Sequence, residues 1–170
     1  MNLKPWLYEF FIKPFTKPTP IGFTEEVFST FQRYANGIHP NEFVCFLEYE
    51  EFQGSDIIRT TNPRRDIDVN QTYAIITDMY LTSTQATPTS ASAETTHLPS
   101  QSIIGTLHTH PSGNTRPSDT DKSMFQKYPI NIIFGHPYTR STMSIYTADS
   151  TLYNGELSFV TVQNHTTTES

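Results

Sequence analysis

Apolar residues recur at helical spacing between residues 24 and 36, and further along the chain they fall into the two-residue beat of strands set off by turn residues. Thr24 is placed to cap a helix, with Glu25 and Glu26 in its first turn. Val27, Phe28, Phe31, Tyr34 and Ala35 make its apolar stripe, and Asn36-Gly37 is expected to stop it. Glu42 to Phe52 predicts a strand whose first half is apolar on both faces, Phe43, Cys45 and Leu47 alternating with Val44 and Phe46. It is expected to turn at Gln53-Gly54-Ser55 into a second strand, Asp56 to Thr61. Tyr73 to Thr77, Ile103 to Leu107 and Ile130 to Phe134 predict further strands, and Ser118 to Lys127 a helix. Ser141 to Tyr146 and Glu156 to Val162 are expected to form an outer strand pair linked through Asn154-Gly155. Thr82 to Glu94, dominated by Ser, Thr and Ala with Pro88, predicts a flexible surface loop or the start of a short helix. The expected class is α/β (α+β), a curved mixed sheet flanked by helices in a single domain over residues 21–162.

Two flanking segments are expected to stand apart from that domain. Residues 1–20 are aromatic and punctuated by proline, with Trp6, Leu7, Tyr8, Phe10, Phe11, Ile12 and Phe15. They are too short and too interrupted for a transmembrane span and lack the continuous apolar core of a signal peptide, so they are read as an arm packing across the domain or a dimer partner. Residues 163–170 are polar and expected to be disordered.

Composition narrows the function classes. A chain of 170 residues fits one domain with a sizeable core; its hydrophobic content of 35% is low, but 12 Phe and 9 Tyr each bury large areas. A formal net charge of −6 argues against nucleic-acid binding through phosphate contacts and permits a basic partner surface. The single cysteine, Cys45, excludes an intramolecular disulfide framework, suits a reducing cytoplasm, and is best explained as a small buried apolar residue. It also excludes a Cys-rich structural zinc and the H-x-E with P-C-x-x-C pattern of zinc nucleobase deaminases.

The chemistry is concentrated in the run from His108 to Asp121. Two histidines one residue apart at the end of a strand point the same way. Pro111 and Gly113 end the strand, and Pro117-Ser118 opens a helix on which Ser118 and Asp121 share a face. Taken alone, Ser118-x-x-Asp121 is only a helix N-terminus signature and H-x-H a weak metal signal; together they supply two imidazoles and a carboxylate that leave a fourth zinc position open for water. A water on zinc has a pKa lowered to about 7, but amide cleavage also needs a base, which must come from elsewhere in the chain.

The sequence His108-Thr109-His110-Pro111, six residues, Ser118, two residues, Asp121 resembles the signature of the JAMM (MPN+) zinc metallopeptidases. Their upstream glutamate has a counterpart in His39-Pro40-Asn41-Glu42-Phe43, and with Phe134-Gly135-His136-Pro137-Tyr138 the chain looks most like compact archaeal members over roughly Thr24 to Val162. The resemblance implies an MPN/JAB fold and one Zn²⁺ per chain held by His108, His110 and Asp121. Glu42 would activate the zinc-bound water and Ser118 would hydrogen-bond the tetrahedral oxyanion. The implied reaction is a deubiquitinase-like hydrolysis of the amide or isopeptide bond at the C-terminus of a ubiquitin-like or sulfur-carrier modifier, with conjugates of that modifier as partners.

Alternatives stay open at three points. Glu48, Glu50 or Glu51 could supply the base instead of Glu42, although they fall at the polar far end of the strand. His39, His97, His136 and His165 are read as structural or exposed. The same residues could serve a hydrolase of a small peptide or amide, while a non-catalytic scaffold is disfavoured because every ligand is present. Only a short segment separates Phe134 from the Ser141 strand, so the second insertion of larger relatives is missing and linkage specificity is undetermined. A modifier tail is expected to lie extended beside a strand, with Gly105 or the segment from Thr82 to Glu94 allowing close approach.

Overall fold

The computed structural model describes residues 18–61, 66–81, 84–93, 102–155 and 157–163. Residues 1–17 of the expected arm and 164–170 of the tail, together with His97 and His165, lie outside them. Strand β1 (Gly22–Phe23) leads into helix α1 (Glu25–Ile38), followed by β2 (Val44–Gln53), β3 (Ile57–Thr60) and β4 (Thr72–Tyr80). A hairpin of β5 (Thr84–Thr87) and β6 (Ser90–Ala93) precedes β7 (Ile103–His110), α2 (Asp119–Phe125), β8 (Ile130–Gly135), β9 (Met143–Tyr146) and β10 (Ser158–Val162). Eight strands form one mixed sheet in the order β3-β10-β1-β4-β2-β7-β8-β9, parallel at β10–β1, β1–β4 and β7–β8.

Helix α1 begins as its cap predicts: the Thr24 hydroxyl accepts from Val27 N–H, and Glu25 and Glu26 lie at the positive end of the dipole. It runs past Asn36-Gly37 to Ile38, because glycine in a helix costs only about 1 kcal/mol whereas the Pro40 ring forbids continuation. Its stripe of Val27, Phe28, Phe31 and Ala35 packs on one sheet face with Phe23, Leu47, Ile76, Leu107 and Phe134. Phe31 is 1% exposed. Helix α2 covers part of the opposite face, where Phe125 stacks on Tyr146 and packs with Ile133.

Three expectations need correction. In the segment from Thr82 to Glu94, expected as a loop or helix start, the described residues 84–93 form a hairpin: β5 and β6 pair antiparallel around Pro88-Thr89, with Thr84 and Thr87 suited to extended backbone and Pro88 to the turn. Strands β9 and β10 are not a pair. After β9 the chain turns locally at Asp149-Ser150, with Ser150 in the left-handed region (φ 65), and Leu152 and Tyr153 bond back to β9. Strand β10 instead fills the slot between β3 and the two-residue β1, an element too short to show any periodicity. Gly105, finally, is buried between β2 and β8, where a Cβ would sit 2.2 Å from the Ile130 carbonyl oxygen. Close strand packing, not ligand approach, demands the glycine.

Candidate metal centre

The two histidines sit at the C-terminal end of β7, an interior strand flanked by β2 and β8. Alternation turns His108 and His110 to the α2 face and Thr109 to the other. The Nε2 atoms of His108 and His110 are 3.2 Å apart and aim at a common point. Asp121, in the first turn of α2, brings one carboxylate oxygen to 3.1 Å from His108 Nε2 and the other to 3.6 Å from His110 Nε2. One donor atom from each of the three lies within 4.8 Å of the others, a spacing that fits a metal ion.

Each ligand candidate is oriented by its surroundings. His110 Nδ1 lies 2.6 Å from the Asn114 carbonyl oxygen, so Nδ1 carries the proton and Nε2 keeps its lone pair for a cation. Among the described residues His108 has no hydrogen-bond partner at its buried Nδ1, and its ring centroid lies 6.1 Å from that of Phe125. Asp121 accepts Ser118 N–H at 2.6 Å while the Ser118 hydroxyl accepts Asp121 N–H at 3.2 Å, a reciprocal capping box. The capping signature and the ligand signature are therefore the same two residues: the cap fixes the carboxylate that faces the imidazoles. Because Ser118 Oγ is an acceptor in the cap, its own hydrogen remains free to donate.

Electrostatics favour positive charge at the convergence point. Burial pushes the Asp121 carboxyl up, but hydrogen bonds from His108 and His110 outweigh it and hold the group well below the ordinary carboxylate range. Burial depresses His110, yet Asp121 and the Asn114 carbonyl raise it overall. The carboxylate thus favours a proton on His110, and would draw a cation to the same place.

Glu42 lies just ahead of β2 rather than within it. Its N–H donates to the Thr87 carbonyl of the hairpin at 2.8 Å, and the next residue, Phe43, donates to the Thr109 hydroxyl at 2.9 Å. Burial raises the Glu42 carboxyl above its ordinary value, with His110 opposing and Asp121 reinforcing the shift, so it faces the cluster. Glu48, by contrast, accepts from Ser102 at 2.9 Å, and Glu50 and Glu51 pair with β4 toward the far end of β2. His39 and His136 pack against each other with tilted rings, centroids 4.7 Å apart, beside Tyr138 and add no atom to the cluster.

The cluster opens into a cavity of about 290 Å³. Glu42, His108, His110, Ser118 and Asp121 line it, with Pro88 to Ala91 of the hairpin on one side and Thr120 and Met124 of α2 among its other walls. The sequence placed the segment from Thr82 to Glu94 close to the site, but as a loop or helix start and not as a hairpin wall. Its one signal was Pro88-Thr89 between two charge-free runs. Among the described residues no helix is long and apolar enough to cross a membrane.

Comparison with known proteins places this geometry in a family. A model of the prokaryotic homologs of the JAB domain matches residues 24–146. A probable metalloprotease of Haloferax volcanii is 31% identical over 102 residues, a match that covers 59% of this chain and 56% of that protein, so the chain spans little more than half its length. A JAB1/MPN domain protein from Archaeoglobus fulgidus is similar in structure, with TM-score 0.52 and 20% identity over 80% of this chain and 97% of that one. So is a structure described as JAMM, a metalloprotease-like zinc site in the proteasome and signalosome, with TM-score 0.51 and 21% identity over 82% and 98%. At these identities the structural matches establish the fold, an MPN-type mixed sheet with helices on its faces.

Proposed function

The chain belongs to the prokaryotic homologs of the JAB domain, and from that premise we propose that it is a zinc-dependent peptidase acting on the amide bond at the C-terminus of a ubiquitin-like or sulfur-carrier modifier. The observation that carries this reading is the convergence of two imidazole Nε2 atoms and one carboxylate at the floor of a cavity that also holds Glu42 and Ser118. His108, His110 and Asp121 are assigned as the ligands of one Zn²⁺, a donor set of the kind catalytic zinc uses. Zinc held there would supply Lewis acidity, polarising the scissile carbonyl and lowering the pKa of a water to about 7.

The remaining work falls to the chain's own groups. Glu42, raised by burial, takes the proton of the attacking water and returns it to the leaving amine. Ser118 donates its free O–H to the oxyanion as the carbonyl becomes tetrahedral, an interaction strongest in the transition state. Hairpin β5–β6 offers a strand edge beside the cavity along which an extended modifier tail could pair, and the small side chains of Ser90 and Ala91 leave room for it. The buried, unpaired Cys45 fits a cytoplasmic setting.

A second reading, hydrolysis of a small peptide amide, draws support from the cavity's volume of about 290 Å³, at the lower end of the range for ligand pockets. Side-by-side turnover of a ubiquitin-like protein extended through its C-terminal glycine and of short acyl-dipeptides separates the two. Chelator-sensitive cleavage of the fusion at the glycine is expected. Cleavage of the dipeptides alone would replace the modifier with a small substrate, and cleavage insensitive to chelator would overturn the zinc mechanism.

A further inference from the structure

The metal centre is assembled from two separate pieces, β7 with its histidines and α2 with Asp121, and something must fix the gap between them. Helix α2 has only seven residues, too few to hold its position by its own hydrogen bonds. Apolar contacts of Phe125 with Ile133 and Tyr146 press it to the sheet but are non-directional. Beneath it lies a polar pair buried to 0% exposure, Thr106 and Asn131. Thr106 is two residues before His108 on the same face of β7, and Asn131 is its register partner on β8.

The Thr106 hydroxyl donates to Asn131 Oδ1 at 2.8 Å, which turns the amide so that Nδ2 donates to the carbonyls of Phe125 at 3.3 Å and Tyr128 at 3.0 Å. Those carbonyls belong to the C-terminal end of α2 and the turn after it, where a helix leaves acceptors unsatisfied. A directional bridge therefore runs from the histidine strand to the aspartate helix. Asp121 is one turn from Phe125, so a slip at that end is transmitted over about 6 Å to the carboxylate.

We propose that Thr106 and Asn131 are positioning residues for the metal centre, setting the separation of Asp121 from His108 and His110 and with it the affinity for the metal. The inference rests on the reading that these three residues bind zinc.

The test compares Asn131→Leu, Thr106→Val and the conservative Thr106→Ser, with Ile132→Val, in the core under α1, as a control for lost stability. Zinc dissociation constants come from chelator competition at a temperature where each variant is folded, and visible spectra of the cobalt-loaded proteins report ligand geometry. Asn131→Leu is expected to weaken zinc binding about 10- to 100-fold and Thr106→Val about 10-fold, both with altered cobalt bands. Thr106→Ser and Ile132→Val should stay within about twofold of native. Near-native affinity and cobalt spectra in Asn131→Leu and Thr106→Val would overturn the inference alone. If Asn131→Leu does not fold, Thr106→Val decides. A native chain that binds no zinc would overturn the metal reading, and this inference with it.

Discussion

Replacing Thr109 by valine isolates one buried hydrogen bond that joins the segment of Glu42 to the strand of the two histidines. Thr109 stands between the two candidate ligand histidines but faces away from them and is 0% exposed. Its hydroxyl accepts Phe43 N–H at 2.9 Å, and its own N–H donates to the Phe43 carbonyl at 3.0 Å. Valine keeps the shape and removes the acceptor, leaving a buried N–H beside Glu42 unpaired. An orphaned buried donor costs about 1–3 kcal/mol. At about 2–4 °C per kcal/mol for a domain of this size, Tm should fall by about 2–12 °C. Thr109→Ser keeps the acceptor and loses one methyl group, a cost of about 1 kcal/mol. Urea unfolding of the metal-free proteins gives the energies, and hydrogen exchange at the Phe43 amide gives the mechanism: protection should drop in Thr109→Val and persist in Thr109→Ser. Since Phe43 follows Glu42, turnover should fall in the valine variant while zinc binding is retained. A valine variant as stable as the native chain, with the Phe43 amide still protected, would refute the reasoning.

Burial raises the Glu42 carboxyl, so between its unfolded and folded pKa values the native state binds more protons than the unfolded state, and stability falls as pH rises through that window. Metal-free Glu42→Gln should therefore gain on the native protein in urea midpoint as pH rises from about 4 toward neutrality, and an unchanging difference would contradict the assigned burial. Gly105→Ala should cost at least the upper part of the range of about 1–3 kcal/mol typical of overpacking, because the new methyl would meet the Ile130 carbonyl at 2.2 Å; a near-native unfolding midpoint would return Gly105 to a ligand-facing role. Cys45 is fully buried with its thiol pushed up by burial, so it should stay unreactive toward thiol reagents until the protein unfolds, and rapid labelling of the native state would contradict its placement.

The site was far more legible than the sheet that carries it. His108, His110, Ser118 and Asp121 lie within one strand–loop–helix segment, so local periodicity and capping rules were enough to point them together. Glu42 came only through the upstream motif; nothing local marks it, since its position depends on its own hydrogen bond to Thr87 and on those of the next residue, Phe43, to Thr109, both partners distant in sequence. The apolar stripe of α1 and the doubly buried β2 could be read directly. The partner of β10 could not, because pairing is settled by long-range register and β1 has only two residues. The hairpin beside the cavity was hidden by its Ser, Thr and Ala composition, which fits a loop as well as a strand. Thr106 and Asn131 gave no sequence signal, as their roles exist only once β7, β8 and α2 are assembled.

The most direct test of the account is the zinc content per chain of the native protein, His108→Ala, Asp121→Ala and Glu42→Gln, each purified identically and assayed on the modifier fusion. One zinc per chain is expected in the native protein and in Glu42→Gln, with turnover only in the native protein, and strongly reduced zinc in the other two. Full zinc in Asp121→Ala, or its loss from Glu42→Gln, would contradict the assignment of ligands and base.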